Sequence, residues 1–291
     1  MHKKLSLPVA IFYIVLSILL ISGGGYGFLR RIEKAKKMHT NDLITTILQT
    51  GPEKEALKTE FFAEMLNLSC DRPISQQLFP IRKAELLLKN HPIIKDAELR
   101  FLDKNTLYIN YEVKKPIAYL GNFENLGIDE EGNIFPIKPF LKKVRLPEIF
   151  FSEKDFAQEN ILRTNLKNQS FQTALELIHF FFEKSLAERF WIKQVDVSQI
   201  FSESYGKREI ILSIENEKKI KKGNREYIVI LPHIVRLHAK EYLKAACNYL
   251  ELRNRIIEEE NFEGLQNFDE ERKVLPAKIL DFRIPRLAFI K

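Results

Sequence analysis

Cysteine is scarce in this chain, with only Cys70 and Cys247 among 291 residues. That count excludes a disulfide framework, and the long separation argues against even one bridge. A reducing compartment and an exported domain large enough to need no staples both remain open. Histidine is scarce too. Among His2, His39, His91, His179, His233 and His238, no pair has metal-ligand spacing with a Cys or carboxylate partner. His233 and His238, five apart, miss a common helical face, so surface or capping roles are expected. A dominant charge sign is also missing. With 46 Lys and Arg among 39 Asp and Glu, the net +7 is too mild an excess for a nucleic-acid footprint. There is no internal repeat and no low-complexity tract. Glycine clusters once, at Ser22-Gly23-Gly24-Gly25, behind an apolar run rather than a strand, which argues against a phosphate loop. At 45% apolar and 29% charged, the composition is that of a folded protein.

A long hydrophobic run occurs once. Leu5 to Leu29 carries no charge, and its densest part is VAIFYIVLSILLI from Val9 to Ile21. As a helix such a run rises about 37 Å, more than a hydrocarbon core of about 30 Å. An uncleaved anchor is favoured, because Tyr26-Gly27-Phe28-Leu29 extends the run past the glycines. The alternative is a cleaved signal peptide, with Lys3-Lys4 as its basic start and Ser22–Gly25 as its cleavage site. Both readings export the remainder. Arg30, Arg31, Lys34, Lys36 and Lys37 outnumber Lys3 and Lys4, and the positive-inside rule alone would reverse that orientation. The order of charge followed by apolar run decides for export.

Behind a charged stem at 30–42, Leu43–Thr50 reads as a strand closed by Gly51-Pro52. Leu57, Phe61, Met65 and Leu68 recur at helical spacing, with Thr59 as a candidate N-cap. Pro80 suits a first helical position, and Ile81, Ala84, Leu87 and Leu88 give the next apolar face, ending at Asn90. A strand over 97–103 turns at Asp103-Lys104-Asn105. The next strand has Leu107, Ile109, Tyr111 and Val113 on one buried face. The order β-α-α-β-β makes one compact module.

Further on, Gly132-Asn133 marks a hairpin and Leu146-Pro147-Glu148-Ile149 an extended edge. Phe171, Ala174, Leu175, Ile178 and Phe182 define a helix ending near Leu186, and Ile192–Val197 a short strand. Residues 208–214 and 226–231 read as a hairpin pair joined by a basic loop holding Lys218, Lys219, Lys221, Lys222 and Arg225. That loop lacks the interleaved aromatics of a nucleic-acid surface. A solvated loop is expected, with attraction to anionic lipid headgroups as the functional alternative. Asp129-Glu130-Glu131 reads as turn chemistry, not as paired catalytic acids. Tyr242, Ala246, Tyr249 and Ile256 share one face of a long helix.

The closing segment, AKILDFRIPRLAFI from Ala277 to Ile290, reads as extended. Leu280, Phe282 and Ile284 alternate with Asp281 and Arg283, and Leu287, Phe289 and Ile290 resume after Pro285. Proline lacks a ladder donor, so a sheet edge is expected there, and an exposed edge accepts another chain's strand.

These residues together resemble the FtsQ/DivIB family of bitopic cell-division proteins. His91-Pro92-Ile93-Ile94-Lys95-Asp96-Ala97 is similar to the family's "hPwV..A" turn. Asn105-Thr106-Leu107-Tyr108-Ile109, with Val113 and Pro116-Ile117-Ala118, is similar to its "P.tL.I.v.ErkPvA" strand. Gly127 to Phe135 is similar to its "lvD..G.vF" hairpin, and Asp281-Phe282-Arg283 to the closing "vDlR". Ile93 replaces the usual aromatic, Lys114-Lys115 replaces Glu-Arg, and the basic 218–225 loop is long.

The resemblance implies an α+β protein with a cytoplasmic tail (1–4), one transmembrane helix (5–29), a stem (30–42) and a POTRA-like β-α-α-β-β module (43–120). A mixed β domain (121–291), with helices packed on an antiparallel sheet, would follow. It implies a non-enzymatic divisome scaffold in the inner membrane, with a periplasmic body at the division septum. The expected partners are smaller bitopic division proteins of the FtsB and FtsL kind, joined by strand addition, and the septal peptidoglycan synthesis machinery. No nucleic acid, small-molecule substrate, cofactor, metal or catalytic residue is expected. The partner-binding residues would be Leu280, Asp281, Phe282, Arg283, Ile284, Leu287 and Phe289. Two other classes stay open. One is a POTRA-bearing secretion or outer-membrane assembly component, against which the helices at 171–186 and 238–258 argue. The other is a secreted hydrolase freed by signal cleavage, against which the lack of an acid/base or nucleophile constellation argues.

Overall fold

The computed structural model of the chain describes residues 28, 30, 42–51, 57–141, 144–156, 161–163, 165–222, 225–260 and 272–291. The expected anchor at 5–29 and the stem at 30–42 lie almost wholly outside these residues. Among the described residues, no helix is long and apolar enough to cross a membrane. The fold is mixed α+β, in two compact units spanning residues 1–113 and 114–291.

The first unit runs β1 (Thr46–Thr50), α1 (Thr59–Met65), a 3-10 turn at Gln76–Leu78, α2 (Ile81–Lys89), β2 (Ile94–Phe101) and β3 (Thr106–Val113). Its sheet has the order β1-β3-β2, with β1 parallel and β2 antiparallel to β3. Alternation sets β3: Leu107, Ile109, Tyr111 and Val113 are all buried. The Asp103 carboxylate closes the preceding turn, its Oδ1 accepting from the Asn105 and Thr106 amides at 2.8 and 2.7 Å. Phe62, missed by the helical-spacing reading, is fully buried against Tyr111, with ring centroids 4.8 Å apart. Thr59 does not cap α1. It is the first helical residue, and Lys58 occupies the cap position without a side-chain bond. On α2, Ala84 and Leu88 are buried while Leu87 is exposed, since a short helix over a three-stranded sheet buries only a narrow stripe.

The outer edge of β2 is guarded by charge. Glu85 accepts the Leu99 amide at 3.4 Å, and Asp96 accepts that of Ala97. Lys89 bridges both carboxylates at 3.1 Å. The Lys89 hydrogen bond, helped by the Ala97 amide, holds the Asp96 carboxyl below its ordinary value.

The second unit begins with β4 (Ala118–Leu120), β5 (Leu126–Ile128), β6 (Ile134–Pro136) and β7 (Glu148–Phe150). It continues with α3 (Gln169–Glu188), β8 (Phe190–Asp196), β9 (Glu209–Lys222) and β10 (Arg225–His238). Then come α4 (Tyr242–Glu259), β11 (Arg272–Val274), β12 (Lys278–Phe282) and β13 (Phe289–Ile290). One ten-stranded sheet orders them β13-β12-β10-β9-β8-β7-β4-β5-β6, with β11 also on β10. The sheet is mixed, which corrects the antiparallel expectation. The pairs β7–β8, β10–β11 and β10–β12 are parallel because α3 and α4 cross over between strands, and β4–β7 is parallel because the β5–β6 hairpin lies between its two strands in sequence. Ala118–Leu120, read as the end of the first module, is a strand of this second sheet.

Two further expectations change. The 146–149 segment is no edge: β7 sits between β4 and β8, with Ile149 fully buried. The basic loop is mostly strand, for β9 and β10 pair from Glu209↔His238 to Lys222↔Arg225. Lys218 and Lys219 stay in the ladder with a carbonyl and a carboxylate partner. Lys219 pairs with Glu226 at 3.1 Å, and the Lys218 ammonium donates to the Ile257 carbonyl at 3.0 Å.

Asn168 caps α3, its Oδ1 accepting from the Phe171 amide at 2.9 Å. The two helices meet at Phe181 and Tyr249, with centroids 6.3 Å apart. They share one core with Leu212, Ile214, Val235, Leu237 and Leu280. The tight turn before β6 depends on Gly132, at φ +81°, whose carbonyl accepts the Leu166 amide at 2.9 Å. Asp129 Oδ1 accepts from the Glu131 and Asn133 amides, so this acidic run is turn chemistry as expected.

Candidate functional site

The segment from Lys278 to Lys291 is not one extended edge. Strand β12 lies parallel to β10, with His233↔Lys278 through Leu237↔Phe282 in register. The chain then reverses. Ile284 to Leu287 form a β-turn in which the Leu287 amide donates to the Ile284 carbonyl at 3.2 Å. Pro285 stands at the second position and Arg286, at φ +67°, at the third, the pattern of a type II turn. Residues 289–291 come back antiparallel to β12, with Leu280↔Ile290 and Asp281↔Phe289. Ile279 and Lys291 exchange reciprocal amide hydrogen bonds, both 2.9 Å. Pro285 therefore folds the strand back instead of merely interrupting it.

The seven expected contact residues fall into three groups. Leu280 and Phe282 are buried, and Phe282 packs edge-on to Tyr249 at 6.2 Å. Their side chains hold the strand to the core and are closed to a partner. Asp281 and Arg283 lie on the other face in a closed ion-pair group with Glu209 and Arg236. Arg283 Nη2 reaches Asp281 at 2.7 Å and its Nη1 reaches Glu209 at 3.4 Å. Arg236 meets Glu209 at 2.6 Å and Asp281 at 3.4 Å. Burial pushes Asp281 up, but hydrogen bonds from the Arg283 side chain and amide outweigh it and hold the carboxyl below its usual range. Arg283 Nη1 also donates to the Gly206 carbonyl at 3.3 Å. This network fixes β12 at the point where the turn begins. Ile284, Leu287 and Phe289 form the third group, and all three are exposed.

Strand β11 extends the same edge. It pairs parallel with β10 at Ile228–Ile230, and the Leu275 amide donates to the Ile230 carbonyl at 2.9 Å. Since β9 takes the opposite side of β10, β11 and β12 form one interrupted strand. Residues 272–282 thus present a single outer edge, which among the described residues only β13 covers, at 279–281. Exposed apolar side chains concentrate here: Val274, Ile279, Ile284, Leu287, Phe289 and Ile290, with Tyr205 nearby. An open cleft of ≈ 740 Å³ adjoins it, lined by Tyr205, Arg208, His238, Lys240, Arg283 and Phe289.

Comparison with known protein families and with characterised proteins finds no match to this chain.

The sequence reading missed Glu209, Arg236 and Tyr205, and the edge residues Val274 and Ile279. The signal for the first two was a charge inside apolar strands, REIILSI and HIVRLH. Of the histidines, His91 and His238 cap local amides as expected. His233 does not lie at the surface. It is fully buried, with Nδ1 3.1 Å from the Tyr249 hydroxyl. Beside it, Asn216 links the Leu231 carbonyl to the buried Arg253 guanidinium. Both cysteines are free and exposed. Among the described residues, no group of three His, Cys, Asp or Glu is placed to hold a metal ion.

Proposed function

We propose that this chain is a non-enzymatic scaffold of the FtsQ/DivIB kind. Residues 5–29 anchor it in the inner membrane, and its two units stand on the periplasmic side at the division septum. The observation that carries this reading is the outer edge at 272–282, anchored at β12 through Leu280 and Phe282, flanked by exposed apolar side chains and occupied at 279–281 by the exposed β13. Such an edge gives a partner strand main-chain hydrogen bonds for affinity and apolar contacts for register. The order β-α-α-β-β with sheet order β1-β3-β2 supports a POTRA-like assignment for the first unit. The occupants of the edge are smaller bitopic division proteins of the FtsB and FtsL kind, through which the scaffold connects to septal peptidoglycan synthesis. Confinement of both chains to one membrane raises effective concentration, so a short ladder is sufficient.

The side-chain positions dictate the test. Phe282→Asp would place a charge in the core and confuse unfolding with lost docking. Ile279→Pro is cleaner, because the Ile279 amide points away from β10 and its side chain is exposed. Co-purification of smaller bitopic division proteins with the full chain should be lost in Ile279→Pro while Trp191 fluorescence stays native. Equal capture by both proteins would remove the edge from the account.

A further inference from the structure

Strand β13 holds to the edge by very little. Its ladder is two register pairs and the reciprocal Ile279–Lys291 bonds. A strand that closes a sheet normally buries alternate side chains on the core face. Here no residue from 284 to 291 is buried. Ile284, Leu287, Phe289 and Ile290 are 51%, 54%, 56% and 52% exposed. Strand β12, by contrast, is anchored through Leu280 and Phe282 on one face and the Asp281–Arg283 ion pairs on the other.

We infer that residues 284–291 are a displaceable arm occupying the seat of an incoming strand. The inference rests on the docking reading above and says how that site is regulated. The arm shows what the seat accepts: an extended segment antiparallel to β12, with consecutive apolar residues opposite Leu280 and Asp281. An incoming segment of that chemistry takes the positions of Phe289 and Ile290 and continues toward Val274 along an edge that no other described strand pairs with. It thereby gains ladder positions that the arm does not use. The turn at Pro285–Arg286 keeps the displaced arm tethered beside its seat, so the arm acts as an intramolecular competitor that lowers apparent affinity for every strand.

A synthetic fluorescein-labelled peptide of residues 284–291 tests this on the full chain in detergent. In the Phe289→Asp/Ile290→Asp protein, whose own arm is released, fluorescence anisotropy should show saturable binding at least tenfold tighter than in the unsubstituted protein. Adding Ile279→Pro should abolish it. Equal binding to the first two proteins, no binding to the arm-released protein at millimolar peptide, or indifference to Ile279→Pro would overturn the inference. Amide exchange in the unsubstituted chain gives a second reading that needs no variant. The Ile279 and Lys291 amides should exchange at least a hundredfold faster than that of Val235 in β10, and equal protection would count against a displaceable arm. The two levels fail separately. Partner capture that does not improve on arm release leaves docking standing and removes the arm. Peptide seating without partner capture leaves the arm and removes the partner.

Discussion

Acid should destabilise the larger unit through His233. The imidazole is fully buried between β10 and α4, its Nδ1 against the Tyr249 hydroxyl and its Nε2 without a hydrogen-bond partner among the described residues. Burial, then the nearby Arg253 and Lys278 charges, lower its pKa from 6.5 to about 4, with Glu260 opposing. The folded state therefore favours neutral histidine, while the unfolded chain takes up its proton first as pH falls. The contribution is complete above pH 6.5, declines between 6.5 and about 4, and is flat below. A pKa lowered from 6.5 to about 4 corresponds to about 3 kcal/mol, of which about 2 kcal/mol is lost by pH 5. Trp191, the only tryptophan, lies in this unit under the Arg145 guanidinium, 4.8 Å from the ring centroid, and reports its unfolding. Urea unfolding of the unsubstituted and His233→Leu proteins should be followed from pH 8 to 4. The variant should be weaker at pH 8 but show a profile flatter by about 3 kcal/mol. Parallel profiles would refute the assignment.

Three other outcomes follow from the packing. Phe282→Ala should destabilise by about 3–5 kcal/mol in urea unfolding, through the cavity beside Tyr249. A loss under 1 kcal/mol would contradict its core placement. Gly132→Ala should lose about 2 kcal/mol or more, since φ is +81° and a Cβ would sit 2.3 Å from the Leu166 carbonyl oxygen. An unchanged urea midpoint would contradict that geometry. Glu85→Ala/Asp96→Ala uncovers the β2 edge amides, so sedimentation velocity should show stronger concentration-dependent self-association than in the unsubstituted chain. A variant that sediments like the unsubstituted chain would show that the carboxylates do not guard the edge.

Much of the first unit was legible because its signals are local. The alternation at 107–113 and the Asp103 turn need no distant partner. The second unit was legible in its helices and less so in its sheet. Strand β7 has three residues after Pro147, and nothing local says that strands flank it on both sides. Lys218 and Lys219 read as loop because their partners, the end of α4 and Glu226 on β10, come from other elements. At the site, Asp281 and Arg283 stood out, but their role depends on Glu209 and Arg236 from β9 and β10. The reversal at Arg286 was hidden because an arginine, rather than a glycine or asparagine, takes the positive φ.

Localisation of a fluorescent fusion of the full chain in dividing cells tests the scaffold reading most directly. The account predicts a midcell band that forms as cells constrict and fades in Ile279→Pro. A uniform envelope signal for the unsubstituted protein would contradict it.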